Sequence, residues 1–160
     1  MDDEGVLSFK ANGIEYSWKG KALTDSLGAA ILHNRNLTFP GGDGYVLYWR
    51  DWASNKLREL MMAITKDSIL TTSTYQFTDQ SSYYYGLLRL GIWNIDRTNV
   101  IGDDYLNARS ITSNFISVTI KEIKNGFISG EFEASLCKYV APHDKMNITN
   151  GYFRNIRLIE

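Results

Sequence analysis

The sequence is poor in cysteine, histidine and proline, and each scarcity excludes a class of protein. Its 160 residues include one cysteine and two histidines, so an intrachain disulfide framework and a four-cysteine zinc site are excluded. Seventeen Lys and Arg balance eighteen Asp and Glu, for a net charge of −1. The basic surface of a general nucleic-acid binder is therefore missing. Two prolines and no Ser/Gly-rich stretch leave no evident linker between domains.

Long apolar runs are also missing. No run approaches the roughly 18 residues of a membrane-spanning helix, so we expect no transmembrane segment. Residues 1–5 are acidic and polar, without the basic and then apolar pattern of a secretory signal. This start fits a cytoplasmic protein, and it fits equally an exported protein whose signal has been removed. We expect residues 1–6 to form a flexible acidic tether and residues 7–160 to form one domain.

The pattern that is present is that of an all-β protein. Gly, Asn, Asp and Ser recur between short β-branched and aromatic runs. Outside the hairpins described below, the strand candidates are 28–33, 36–39, 44–50, 73–78, 84–95 and 105–110. Residues 54–65 fit helical or strand spacing, and the neighbouring strands favour a strand. We expect an antiparallel β-sandwich or partly closed barrel, rich in meanders, with about nine to eleven strands.

The first hairpin can be assigned with its register. Apolar and polar residues alternate over 7–11 and 14–18, with Asn12-Gly13 between them. Asn-Gly favours a two-residue type I′ turn, in which both residues take positive φ. This turn pairs Phe9 with Tyr16 and places all six apolar residues of the two runs on one face.

A later hairpin around Asn125-Gly126 requires a different loop. A two-residue turn would slip every side chain to the wrong face. A three-residue loop over 124–126, with Gly126 in the left-handed position of a G1 bulge, instead pairs Ile120 with Gly130. The same register pairs Val118 with Phe132 and Ile116 with Ala134.

The strands at 128–136 and 147–158 each carry a glycine and a phenylalanine two residues apart. An antiparallel register sets Phe132 opposite Gly151 and Phe153 opposite Gly130. Each ring then covers the other strand's glycine, an arrangement known as aromatic rescue.

Two motifs in the C-terminal third occur together, at 128–134 (Ile-Ser-Gly-Glu-Phe-Glu-Ala) and 148–156 (Ile-Thr-Asn-Gly-Tyr-Phe-Arg-Asn-Ile). Phe-Lys-Ala-Asn-Gly at 9–13, followed by Trp18, and Thr-Tyr-Gln-Phe at 74–77 fit the same pattern. Together they resemble an uncharacterised domain family of bacterial envelope lipoproteins. Its members carry a lipoprotein signal, an early Asn-Gly, a Gly-Thr-Tyr strand and two Gly-x-Phe strands. Here Ser replaces the Gly of Gly-Thr-Tyr at 73–75, and Glu replaces Thr at 131.

The resemblance implies a location as well as a fold. It implies an all-β domain in the periplasm or at the cell surface of a Gram-negative bacterium, with a lipid anchor in the native precursor. It implies no activity, because the family has no established one.

Catalytic and metal-binding motifs are not found in the sequence. His33 and His143 could belong to a Ser-His-Asp triad, but no Gly-x-Ser-x-Gly places a serine on a nucleophile elbow. The turn aspartates lack the spacing of a calcium loop; they are Asp43, Asp96, Asp103 and Asp104. Cys137 ends an alternating strand, so we expect a buried structural thiol that reagents label slowly. We expect no enzyme, cofactor or metal, whereas carboxylates clustered in a cleft would indicate an enzyme.

Aromatic residues provide the candidate binding site. Trp and Tyr rings offer flat apolar faces with a polar edge, which suits sugars and protein interfaces. Trp52 and the pair Tyr83 and Tyr84 lie near the ends of two candidate strands. On one rim they would form a small platform for a sugar, with Arg50 and Asp51 bonding its hydroxyls. The alternative is that these rings fill the core and surround the sheet ends.

Two functions follow from these observations. The first is a non-catalytic bacterial envelope domain with a binding or scaffold role, its partner a glycan or a protein. The alternative is a lipocalin-like barrel that carries a small apolar ligand, which requires an interior cavity of a few hundred Å³.

Overall fold

The chain is all-β. The computed structural model describes residues 4–21, 27–33, 44–53, 55–65, 69–78, 88–94, 99–101, 115–137 and 145–160, with the backbone alone for 77–78, 88–94, 99–101 and 136–137. Its strands are β1 (Gly5–Ala11), β2 (Ile14–Gly20), β3 (Gly28–His33), β4 (Tyr45–Ala53), β5 (Lys56–Thr65), β6 (Thr74–Thr78), β7 (Leu88–Asn94), β8 (Asn99–Ile101), β9 (Phe115–Lys124), β10 (Phe127–Cys137) and β11 (Lys145–Ile159). In these segments no helix is long and apolar enough to cross a membrane.

The strands form one mixed sheet that branches at β11. Nine of them pair in the order β6-β9-β10-β11-β3-β4-β5-β7-β8, and β1 lies against β11 with β2 beside it. Over the described strands this sheet is not closed. We call β6, β9, β10, β11, β1 and β2 sheet A, and we call β3, β4, β5, β7 and β8 sheet B.

Strand β11 belongs to both sheets because its length exceeds that of its neighbours. Its 15 residues pair with β10 along one edge and with β1 along the other, from Ile148 to Arg154. Beyond β1 the same edge pairs in parallel with β3, through Leu158 and Ile159. The other described pairings are antiparallel. The fold agrees with the expected antiparallel sandwich or partly closed barrel, and the parallel contact between β11 and β3 is the one exception among the described pairings.

The core lies between the two sheets and is rich in aromatic rings. Phe9 of sheet A meets the fully buried Trp49 of sheet B edge to face, with ring centroids 5.9 Å apart. Within sheet A, Phe9 stacks on Tyr16 at 5.2 Å and contacts Phe132 at 5.8 Å. These contacts tie the two sheets together around Phe9, and burying such rings is a major source of stability.

The first hairpin is confirmed in turn and in register. Asn12 and Gly13 have φ of 48° and 82°, as a type I′ turn requires. Phe9 pairs with Tyr16 and Ala11 with Ile14. Ile14 shares the apolar face but is 56% exposed, because it lies at the turn end of the strand.

The second hairpin has the predicted strand pairing but a different turn. Ile120 pairs with Gly130, as expected. The three-residue loop was wrong: Lys124 pairs with Phe127 across a two-residue turn, and both Asn125 and Gly126 have positive φ. The register is restored by a bulge between the Glu122–Ser129 and Ile120–Gly130 pairs. The extra residue therefore lies within β9 instead of in the loop.

The aromatic rescue is also confirmed. Gly130 pairs with Phe153 and Phe132 pairs with Gly151. A Cβ on Gly130 would lie 2.7 Å from Cζ of Phe153, and one on Gly151 would lie 2.7 Å from Cδ2 of Phe132. Each ring thus occupies the space that a side chain on the opposite glycine would need.

Two bulges adjust the long strand β11 to its neighbours. The β10–β11 register shifts between Ile128 and Gly130 and again between Phe132 and Ala134. Each shift coincides with an asparagine in the left-handed region, Asn155 and Asn150, both at φ 52°. Asparagine tolerates this conformation better than other non-glycine residues. Because each bulge inserts one residue, the same face of β11 stays buried along its length.

The remaining strand candidates agree with the structure in part. The candidates at 28–33, 44–50 and 73–78 correspond to β3, β4 and β6, and the segment 54–65 contains strand β5 (Lys56–Thr65), as favoured. The backbone of β7 lies within the candidate at 84–95, whereas 36–39 and 105–110 lie outside the described residues. Strand β8 was not predicted, and β1 begins two residues earlier than the expected domain start. Cys137 ends β10 as expected, but its side chain is outside the described set.

Candidate functional site

The predicted aromatic platform is only partly within the described chain. Trp52 lies next to the end of β4 and is 47% exposed. Tyr83 and Tyr84 lie outside the described residues, so their placement beside Trp52 stays a prediction.

The two charged residues beside Trp52 face opposite sides of β4, because successive side chains of a strand alternate. Asp51 lies on the side of the buried Trp49. There Arg58 of β5 donates hydrogen bonds of 2.8 Å from Nε and 2.7 Å from Nη2 to the two carboxylate oxygens of Asp51. Both oxygens of Asp51 are therefore engaged within the fold.

Arg50 shares a face with Trp52 but is also held by its neighbours. Its Nε lies 3.2 Å from Oε2 of the buried Glu59, an ion pair without hydrogen-bond geometry. Tyr48 donates a 3.3 Å hydrogen bond to the same carboxylate oxygen. The described structure thus leaves Trp52 as the exposed member of the predicted set.

Arg58 also influences a tyrosine at the boundary between the sheets. Its guanidinium carbon lies 5.1 Å from the Trp49 ring centroid, and Nη2 donates a long 3.5 Å hydrogen bond to the Ser17 carbonyl of β2. Burial raises the pKa of Tyr16 above its ordinary value, and the charge of Arg58 partly offsets this increase.

The histidine considered for a triad has structural partners. His33 stacks on Tyr45 with ring centroids 4.5 Å apart, and its Nδ1 lies 2.8 Å from Oε2 of Glu160. His143 lies outside the described residues.

A polar depression of about 490 Å³ lies on the outer face of sheet A, across β9, β10 and β11. We call it the sheet-A groove. It is lined by Ser117, Thr119, Glu131, Phe132, Glu133, Asn150, Gly151 and Tyr152.

Strand alternation explains which side chains reach this groove. Phe132 is directed to the core, so Glu131 and Glu133 on either side of it point outward. Tyr152 lies between the buried Gly151 and Phe153, and it is consequently 45% exposed. The bulge at Asn150 lies at the edge of the groove, and bulges bend and twist the strand that carries them.

Some polar groups of the groove are already satisfied by neighbours. The Thr119 hydroxyl is 2.9 Å from that of Thr74 on β6, and Glu131 forms an ion pair with Lys121 of β9. The Ser117 residue is only 9% exposed, and within the described chain its hydroxyl has no hydrogen-bond partner. The groove therefore contains a hydroxyl without a partner in the described chain, on a largely buried residue whose register neighbour on the adjacent strand is Glu133.

Metal binding finds no support in the described segments, where no group of three His, Cys, Asp or Glu side chains could hold an ion. Comparisons of the chain with protein-family models, with curated proteins and with solved structures find no match. The groove must therefore be interpreted from its own chemistry.

Sequence reasoning missed the groove, although the signal was present. The rescue register places Gly151 and Phe153 inward, which leaves Tyr152 as an outward aromatic in the middle of sheet A. The glutamates at 131 and 133 alternate with Phe132 in the same way. Reading the outward positions of adjacent strands together would have identified the site.

Proposed function

We propose that the protein is a non-catalytic binding domain of a bacterial envelope, of lipoprotein type, and that the sheet-A groove is its binding face. The observation that carries this proposal is the groove itself, with the half-exposed Tyr152 and with the hydroxyl of Ser117, which has no hydrogen-bond partner within the described chain. Its volume lies in the range of small-ligand sites, about 300–1,000 Å³. The envelope location is supported by the C-terminal sequence pattern.

Glycoside hydrolases also use a pair of carboxyl groups in one groove. The arrangement of the two glutamates therefore bears on whether the groove could cleave a glycan. Hydrolysis needs two carboxyl groups flanking the scissile bond, one of them kept protonated by burial. Glu131 and Glu133 are both exposed and project from the same face of one strand. They would lie side by side beneath a ligand, and Glu131 is already paired with Lys121. This geometry supports binding without cleavage.

Among the described residues, no observation favours the alternative of an apolar-ligand carrier. Such a carrier needs an interior cavity lined by apolar side chains. In the described core, Phe9 contacts Trp49 across the space between the sheets, and within sheet A Phe132 contacts both Phe9 and Phe153. The groove is on the outside and is mainly polar.

Binding and location can be tested separately. A peptide and glycan array probed with wild type and with Tyr152→Ala should give signals that the variant loses, while Trp52→Ala, a similarly exposed aromatic on sheet B, retains them. Signals lost only in Trp52→Ala would move the binding face to sheet B. Cleavage of any array ligand would contradict the non-catalytic role.

For the location, cells that express the full gene with a C-terminal tag are fractionated. The tagged protein should be found with the envelope and should be released by detergent if a lipid anchor is present. Recovery in the cytosol alone would contradict the envelope assignment.

A further inference from the structure

Tyr152 offers an aromatic face in an otherwise polar part of sheet A. Its register neighbours are Ser8 on β1 and Glu131 on β10. Ser8 is small and buried, whereas Tyr152 beside it is 45% exposed. A flat ring of this kind matches the face of a pyranose, which presents C–H groups to the ring and hydroxyls around its edge.

The polar groups around the ring match the edge of such a ligand. Glu133 and the Asn150 side chain accept hydrogen bonds, the amide also donates them, and the Ser117 hydroxyl does both. Within the described chain none of these three side chains has a hydrogen-bond partner. Hydroxyls of a ligand would satisfy them, and bonds to the ionised Glu133 would be the strongest.

The negative charge of the groove lining disfavours anionic ligands. The two charged groups in the groove lining are both acidic, Glu131 and Glu133, and the charge of Glu131 is offset by Lys121. An anionic ligand would meet the uncompensated carboxylate of Glu133, and like charges brought together are costly. A protein partner is disfavoured as well, because charged residues are depleted from the centres of protein interfaces.

We infer that the sheet-A groove binds a neutral, hydroxyl-rich glycan, with one sugar ring stacked on Tyr152 and its hydroxyls bonded to Ser117, Glu133 and Asn150. This inference rests on the proposed binding function. Only one aromatic ring contributes, so the affinity is weak, about millimolar.

The test is an NMR titration of the folded, isotope-labelled protein. The probes are chitotriose and cellotriose as neutral glycans, 3′-sialyllactose as an anionic glycan and pentalysine as a cationic peptide, each to about 20 mM because weak binding is expected. The neutral glycans should shift the amides of 117–119, 131–133 and 150–152, and added salt should leave this binding unchanged. Sialyllactose should bind weakly or leave these amides unshifted.

Four variants locate the contacts. Tyr152→Leu, which keeps apolar bulk without a ring, should weaken neutral-glycan binding about fivefold or more, whereas Tyr152→Phe should retain it. Ser117→Ala should weaken it by about two- to tenfold, the effect of one lost hydrogen bond. Trp52→Ala should bind like wild type.

The other outcomes distinguish this inference from the function on which it rests. Salt-sensitive binding of pentalysine alone at the groove would overturn the glycan assignment and keep the binding role. Glycan binding lost in Trp52→Ala and kept in Tyr152→Leu would overturn the groove as the site. Unshifted groove amides with every probe would overturn both the glycan assignment and the groove as the binding face.

Discussion

Gly130 and Gly151 are both required by the local geometry: each lies under a phenylalanine of the neighbouring strand and has no room for a side chain. A Cβ on Gly130 would lie 2.2 Å from the backbone oxygen of Thr119 as well as 2.7 Å from Phe153. A ring can rotate away from a new atom, but a backbone oxygen in the middle of a sheet can move only if the strand moves. The glycine is therefore required by both neighbours.

Gly130→Val should destabilise the protein by about 1–3 kcal/mol, the usual cost of overpacking. We expect a loss near the upper end of this range because the backbone must shift. The measurement is urea unfolding with the m-value monitored. Glu133→Val, at an exposed position of the same strand, is the matched control and should change stability by less than about 0.5 kcal/mol. Equal effects of the two substitutions would show that Gly130 is not crowded.

Tyr16 provides a prediction on pH. Burial raises its pKa above the ordinary value of 10.0, so above this pH the folded state holds the phenolic proton more tightly than the unfolded state. The contribution to stability is fully present below about pH 10 and is lost as the pH rises through the folded-state pKa.

Urea unfolding between about pH 8 and pH 11 should therefore show stability falling more steeply for wild type than for Tyr16→Phe, which has no phenolic proton to lose. Ile64→Val, a buried substitution that removes no titratable group, is the control and should follow the wild-type slope. Parallel slopes for wild type and Tyr16→Phe would contradict the stated effect of burial.

Among the elements, β11 shows how two asparagines keep a long strand in register. Each bulge follows the same short pattern of a buried residue, an exposed residue, Asn and a buried residue, at 148–151 and at 153–156. The left-handed conformation costs an ordinary L-residue about 1–2 kcal/mol, so a β-branched side chain should be tolerated poorly there.

Asn155→Val should lower the free energy of unfolding by about 1–2 kcal/mol for this reason, while Asn155→Gly should lose less because glycine adopts positive φ freely. Thr149→Val, an exposed position of the same strand without positive φ, is the control and should be close to neutral. The measurement is the urea midpoint of the three variants. A smaller loss for Asn155→Val than for Asn155→Gly would show that backbone conformation does not govern this bulge.

The hairpins show how far the sequence predicts this fold. The alternation of apolar and polar residues and the Asn12-Gly13 turn were sufficient to predict the first hairpin, because both require the same register. In the second, a three-residue loop and a two-residue turn followed by a bulge both pair Ile120 with Gly130, so the pattern could not distinguish them. The parallel contact of Leu158 with Ile31 was not predictable, because period-two patterns specify faces and local turns but not which distant strand ends meet.

The candidate site was predictable to a smaller degree. Exposure of Trp52 agrees with its predicted place near a strand end, but the partner of Asp51 depends on the β4–β5 register, which sets Arg58 directly opposite. The groove depends on three strands together, whereas alternation assigns each residue only to a face of its own strand. A site on the face of a sheet is formed by residues of several strands, whereas the alternation of apolar and polar residues describes one strand at a time.

On the scale of the whole molecule, β11 and the Phe9–Trp49 contact join the two sheets into one structure. Sheet A contains the groove, and sheet B contributes Trp49 to the core beneath sheet A. If the two sheets are thermodynamically coupled, the shape of the groove depends on packing in both. We expect a single cooperative unfolding unit, as is usual for a domain of this size.

Two matched substitutions test this coupling. Ile116 in sheet A and Ile64 in sheet B are both fully buried, and Ile→Val at such positions costs about 0.5–1.5 kcal/mol. Native-state hydrogen exchange then reports the opening free energy of amides in each sheet. If the protein unfolds as a single unit, each substitution lowers the opening free energy of the slowest-exchanging amides by the same amount in both sheets. The amides compared are those of β4 and β5 in sheet B and those of β9 and β10 in sheet A. If each substitution affects only its own sheet, the sheets unfold separately, and the groove is then maintained by sheet A without support from the Phe9–Trp49 contact.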